Sequence, residues 1–203
     1  MDDDISVDLP RIIEKARALP SWTVGGWVHQ QLMVRRSRSK WSVTMQEYSQ
    51  KFYPDFVSGW VYAAAMHTIK ALVKSAKTSE PFWIDDVWLT GIVREKHNDQ
   101  KIQSWPGGSQ KINLQSWSSQ YTPYVEHLQC CLNESNYTCD FIAGPSGNDA
   151  KKIIGFGALA RRCFHSNTCS KRPSPINIWK NCQVKNPFFL PESSGVGKVL
   201  NIT

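Results

Sequence analysis

Two carboxylate clusters stand out as groups able to do chemistry. The first is Asp2-Asp3-Asp4. Hard divalent cations such as Mn²⁺ and Mg²⁺ prefer carboxylate oxygens, and two carboxylates on a tight turn can hold such an ion while it bridges the phosphates of a substrate. The same triplet also reads as a solvated acidic stretch before a helix. The second cluster is Asp85-Asp86, preceded by apolar Phe82-Trp83-Ile84 and followed by a helical pattern from Val87 to about Lys96. Carboxylates at a helix N-terminus cap free N–H groups and are stabilised by the dipole. One of them, at the floor of a cleft, can instead act as a general base toward an attacking hydroxyl.

Other candidates carry less. Arg35, Arg36, Arg38 and Lys40 form a basic run that reads as a solvated loop with the option of phosphate contact. The nine Trp residues read mainly as core, with one or two free to stack on a sugar face. His67 and His97 read as ordinary helix or surface residues. No glycine-rich phosphate loop, Ser/His/Asp arrangement or zinc-ligand spacing is present, and the six cysteines lack a repeated C-x₂-C pattern.

The elements that must position these groups change in texture along the chain. The first hundred residues alternate α and β. Asp8 before Leu9-Pro10 starts a helix with Ile12, Ile13, Ala16 and Leu19 on one face, ended by Pro20. Trp22 to Val34 reads as a strand or hairpin, with Gly25-Gly26 as a bend or bulge. A short strand from Gly59 to Tyr62 precedes a helix from Ala63 to Ala76, with Met66, Ile69, Leu72 and Val73 inward. After about residue 100, Ser, Gln and Gly dominate, Gly144 to Asn148 reads as a turn, and six cysteines cluster between Cys130 and Cys182. This predicts an α/β domain over 1–100 and an irregular, loop-rich, disulfide-stapled region over 101–203. Six cysteines allow 15 pairings, which sequence leaves open.

The net charge of +7 suits an anionic partner without naming one. N-x-S/T sequons at Asn133, Asn136 and Asn201, together with an even set of clustered cysteines, favour an oxidising, glycosylating compartment and fit nucleic-acid binding poorly. The sequence carries no run of about 20 apolar residues and no basic n-region. It therefore reads as the C-terminal part of a longer protein, with any membrane anchor upstream.

Four segments, in order, resemble glycosyltransferase family 31, which includes β-1,3-galactosyltransferases and N-acetylglucosaminyltransferases. Met1-Asp-Asp-Asp-Ile-Ser-Val-Asp-Leu is similar to the family's K-x-D-D-D-v-f-v-n-l. Lys40-Trp41-Ser42-Val43 is similar to its K-W-y-v, and Phe52 to Tyr62 to its Y-P-x-Y-x-s-G-x-g-Y. Ile84 to Gly91 is similar to E-D-V-y-v-T-G. The resemblance spans residues 1 to about 95. It implies the C-terminal half of a GT-A fold, a Rossmann-like α/β sheet, and inverting transfer of a hexose or N-acetylhexosamine from a UDP-sugar to a glycan or glycoprotein hydroxyl in the Golgi lumen. In that scheme Asp2 and Asp4 hold Mn²⁺ (or Mg²⁺), with His127 as the family's late histidine ligand. Asp3, Gly59 and Asp85 line the donor, and Asp86 is the base. Asp85 stands where the family usually has Glu, Phe56 where it often has Tyr, and the family's nucleotide-binding first strands lie before the triplet. Hence the alternative of a non-catalytic, glycan-binding relative in the secretory pathway.

Overall fold

The structure is a computed structural model that describes residues 4–37, 39–97, 100–105, 121–139, 142–166 and 168–171. Its described parts are mixed α/β. In chain order they are β1 (Ile5–Val7), α1 (Leu9–Arg17), β2 (Thr23–His29), β3 (Phe56–Ala64), α2 (Met66–Ala76), a π-helical segment Val87–Val93, β4 (Lys101–Ser104), α3 (Tyr121–Asn133), β5 (Ala143–Pro145) and α4 (Ala150–Ser166). β1 and β5 form a two-stranded antiparallel sheet. The other sheet runs β3-β2-β4, with β2 antiparallel to β3 and parallel to β4.

Local chemistry sets the first elements. Asp8 caps α1 by accepting the backbone N–H of Arg11 at 3.1 Å and its Nε at 2.6 Å, with Pro10 in the first turn. Ile12 and Leu19 then pack toward Trp105 and Ile142. Ile13, expected on the same face, is 41% exposed, because adjacent helical residues diverge by about 100°.

In β2 the register against β3 shifts between Gly26 and Val28, the expected bulge. Both glycines are required by packing. A Cβ on Gly25 would lie 2.4 Å from Leu19 Cδ2 and 2.5 Å from Trp105 Nε1, and one on Gly26 would lie 2.4 Å from Val57 Cγ1. β3 is longer than the expected Gly59–Tyr62. Ala63 and Ala64 pair with Gly25 and Val24, so strand pairing captures alanines whose own preference is helical. The helix starts later and turns its buried face, with Leu72 inward as expected. Thr68 and Leu72 are inward, whereas Met66, Ile69 and Val73, expected inward, are 65%, 41% and 50% exposed.

The expectation of an irregular region beyond residue 100 is corrected for its described part. β4 extends the sheet through β2, β5 pairs with β1, and α4 packs on β1 and α1. α3 lays Leu128 against Trp27 and Trp60, with Phe156 of α4 in the same cluster. A hydrogen-bonded ladder joins residues on both sides of position 100, so these residues fold as part of the same body. Two disulfides, Cys131–Cys139 and Cys163–Cys169, are formed within this region, and Cys130 is disulfide-bonded as well. No described helix is long and apolar enough to cross a membrane.

Candidate active site

Asp86 sits at the entry to the π-helical segment, and its carboxylate is held at both oxygens. Gly59 of β3 donates its backbone N–H to Oδ2 at 2.9 Å, and Val87 donates its own to Oδ1 at 2.8 Å. Each carboxylate oxygen offers about two acceptor directions. These two N–H bonds fix the rotamer.

Thr90 locks this corner. Its buried hydroxyl accepts the Val57 backbone N–H at 2.8 Å and donates to the Asp86 carbonyl at 2.7 Å. Gly91 lets the same turn approach β3, since a Cβ there would lie 3.0 Å from Pro54 Cγ and 3.2 Å from Phe56 Cβ. A hydroxyl bonding back to the carbonyl four residues earlier loosens an α-helix, and wide π turns recur at functional sites. That accounts for a π segment where the sequence predicts an ordinary helix. Thr90 was not singled out in the sequence, although it stands in the quoted Ile84–Gly91 motif.

Gly59 differs from the other strand glycines. Among the described residues, the three atoms nearest a Cβ there belong to the Asp86 side chain at 3.5 to 3.7 Å, which is ordinary contact. Its φ is not in the left-handed region. Among the described residues, neither packing nor backbone requires glycine at 59. A glycine inside a strand with no internal reason marks a place where something else approaches the backbone. Asp85, the other carboxylate of the pair, is exposed on the preceding turn.

Asp4 is held differently. Its backbone carbonyl accepts both the N–H of Ser146 at 2.9 Å and the Ser146 hydroxyl at 2.6 Å. Its carboxylate is half-buried and pairs with none of the described residues. That leaves hard oxygen donors available, which is what Mn²⁺ or Mg²⁺ requires. Asp2 and Asp3 lie outside the described residues.

Contacts connect the two corners. The Gly147 turn, next to Ser146, abuts Val125 of α3, where an added Cβ would lie 3.3 Å away. α3 in turn packs on Trp60, the neighbour of Gly59. His127 is on this helix, buried, and its ligating nitrogen lies within 4.8 Å of Sγ of both Cys131 and Cys139.

Other candidates fall into place around these. Arg36 donates to the carbonyls of Val43, Thr44 and Gln50 at 3.1, 2.9 and 2.6 Å, stapling the loop between β2 and β3. Arg35 and Lys40 lie over the Trp41 ring, 5.4 and 3.9 Å from its centroid. Arg38 is outside the described residues. His67 stacks edge-on against Trp22, and His97 bonds Ser75. His29, not singled out in the sequence, stacks on Phe56 with ring centroids 4.9 Å apart. Burial, then the nearby Arg35 charge, lowers its pKa to about 4. Tyr53 packs among Tyr48, Phe56 and Phe82 with its hydroxyl buried and unpaired, and burial raises its pKa. Asn133 and Asn136 are exposed, as modification requires, and Asn201 lies outside the described residues.

The sequence profile of the galactosyltransferase family matches residues 1–104, which contain both carboxylate corners. Comparison with curated proteins gives no match. Spanning just over half of the 203 residues, the family match shows that this chain belongs to the galactosyltransferases, as its likeness to glycosyltransferase family 31 implies.

Proposed function

We propose that the chain serves an inverting hexosyl transfer, moving a hexose or N-acetylhexosamine from a UDP-sugar to a hydroxyl of a glycan or glycoprotein in β-1,3 linkage. The observation that supports this best is the clamp on Asp86 beside a glycine that needs to be glycine for no internal reason. A carboxylate held in one orientation beside a strand glycine suits a base receiving a proton from an incoming hydroxyl.

In this reading Asp86 orients the acceptor oxygen and takes its proton as that oxygen attacks the anomeric carbon from the face opposite UDP. The bare backbone at Gly59 admits the sugar, and Asp85 and Asp3 line the donor. Asp2 and Asp4 would hold a divalent cation, which when bound neutralises charge on the departing diphosphate, so a separate acid is unnecessary. The fold is read as the C-terminal half of a GT-A domain. Its setting is read as the lumenal side of the Golgi membrane, which accords with the disulfides and with exposed sequons at Asn133 and Asn136.

The test is UDP release from a panel of UDP-hexoses with glycan acceptors, with and without Mn²⁺, alongside Asp86→Asn. Metal-dependent release that the variant lacks supports the reading. Equal turnover in the variant removes Asp86 as base, and no binding of UDP or Mn²⁺ favours the non-catalytic, glycan-binding alternative.

A further inference from the structure

We propose that reduction of the Cys131–Cys139 disulfide converts His127, Cys131 and Cys139 into a zinc site. These are the residues among those described whose histidine nitrogen and two sulfurs gather within 4.8 Å, and all three are buried. His127 and Cys131 are four positions apart on α3 and so share one helical face. Cys139 is brought back to them by the turn that follows, with 5.4 Å between the cysteine Cα atoms.

The donor set is one zinc prefers, two thiolates and an imidazole. Ideal Zn–S and Zn–N bonds put the two sulfurs about 3.8 Å apart and each about 3.6 Å from the nitrogen in a tetrahedron. Once the S–S bond is gone, side-chain rotation alone covers that change. The surroundings are apolar, with Leu128 and Phe156 fully buried and Trp27 and Trp60 against them, and a single water would complete the tetrahedron as fourth ligand. The chemistry balances with a dithiol as reductant. Its two hydrogens pass to the two sulfurs, it leaves as a cyclic disulfide, and Zn²⁺ then displaces two protons as the thiolates bind.

The site also has an internal control. Cys163–Cys169 is a disulfide of similar span on the end of α4, without a third ligand gathered about it among the described residues. The consequence reaches the candidate active site through Trp60, which α3 covers and which neighbours Gly59. A zinc ion would hold α3 on that wall whenever the disulfide is open, before oxidation or after reduction. This takes His127 away from the carboxylate metal site that the resemblance implied for it, because its nitrogen gathers with Cys131 and Cys139; the carboxylate site would keep the hard oxygen donors of Asp2 and Asp4.

The experiment is pulsed alkylation of the whole chain after dithiol reduction and anaerobic desalting, with and without one equivalent of Zn²⁺, read peptide by peptide by mass spectrometry. Zinc should slow alkylation of Cys131 and Cys139 by at least about tenfold and leave Cys163 and Cys169 unchanged. His127→Ala should abolish the protection. Circular dichroism accompanies each sample. A reduced chain that unfolds but regains helix and protection with zinc supports the site, and one that stays unfolded and unprotected overturns it. Equal rates with and without zinc, or protection that survives His127→Ala, also overturn it.

Discussion

The two carboxylate corners are anchored in opposite ways. At Asp86 the side chain is fixed, with both oxygens accepting backbone N–H bonds and the backbone pinned by Thr90. At Asp4 the backbone is fixed by Ser146, and the side chain pairs with none of the described residues. The difference matches two chemical demands. A base gains from holding one orientation toward one proton. A ligand to a hard cation must turn its oxygens to the ion and shed bonds to nothing else first. The anchors also differ in reach. The Gly59 bond to Asp86 spans 27 positions, the Ser146 bond to Asp4 142 positions. The second corner therefore exists only when the region beyond residue 100 has folded back.

The largest expected effect separates the two demands directly. Asp86→Asn keeps the size of the side chain and an oxygen for Gly59, so the fold should persist while kcat falls about 10²- to 10⁴-fold at any Mn²⁺ concentration. Asp4→Asn should instead raise the Mn²⁺ needed for half-maximal rate, with activity largely restored at high metal. UDP release measured across a Mn²⁺ titration distinguishes them. If both variants respond alike to metal, the division of labour is wrong.

Acid should strike the Asp86 side, because His29 pairs across the sheet with Phe56 at the start of β3. With a folded pKa of about 4 against an ordinary 6.5, the unfolded chain takes up a proton that the native one refuses. The stability this gives is complete above pH 6.5 and is lost as pH falls from there toward 4. The loss amounts to about 3 kcal/mol at its limit. Urea midpoints at pH 7 and about 4.5 should show it, and His29→Phe should remove this part of the drop. A wild-type midpoint that does not move would mean the imidazole is charged in the fold.

Much of the first hundred residues was legible in sequence because the causes are local. Asp8 capping its own helix, the Gly25-Gly26 bulge and the Asp85-Asp86 turn each follow from residues within a few positions. The inward face of α2 was not legible. Apolar residues recur along it, yet Thr68 and Leu72 meet the sheet while Met66, Ile69 and Val73 do not, and only the docking angle decides that. The π turn was hidden for a related reason, since it depends on the Thr90 hydroxyl finding Val57 on another strand. The Asp4 anchor was beyond reach, because nothing in Gly144 to Asn148 announces a partner at the other end of the chain. Nor does cysteine spacing choose Cys131–Cys139 and Cys163–Cys169 from the possible pairings.

A smaller effect compares the two anchors themselves. Thr90→Val preserves shape but leaves the buried Val57 N–H without its acceptor, at a cost of about 2 kcal/mol. Ser146→Ala removes one bond from a carbonyl that keeps the Ser146 N–H, so the loss should be nearer about 1 kcal/mol. Urea denaturation measures both, and a larger loss at Ser146 would reverse the order of rigidity assigned to the corners.

The smallest effect on stability should come from Gly59→Ala, and that smallness is its use. Among the described residues, the new methyl comes no nearer than 3.5 Å, to the Asp86 side chain, with the backbone already in a region open to any residue. Alanine also restricts the unfolded chain more than glycine does, so the change in stability should stay within about 1 kcal/mol. Gly26→Ala provides the contrast, since its Cβ would overlap Val57 Cγ1 at 2.4 Å and overpacking of that kind costs about 1–3 kcal/mol. If Gly59 is bare to admit a sugar, its alanine variant should retain the wild-type urea midpoint while kcat/KM falls, the methyl covering one approach to the base. A variant with both midpoint and kcat/KM unchanged would show that the open face beside Asp86 is not where the substrate enters.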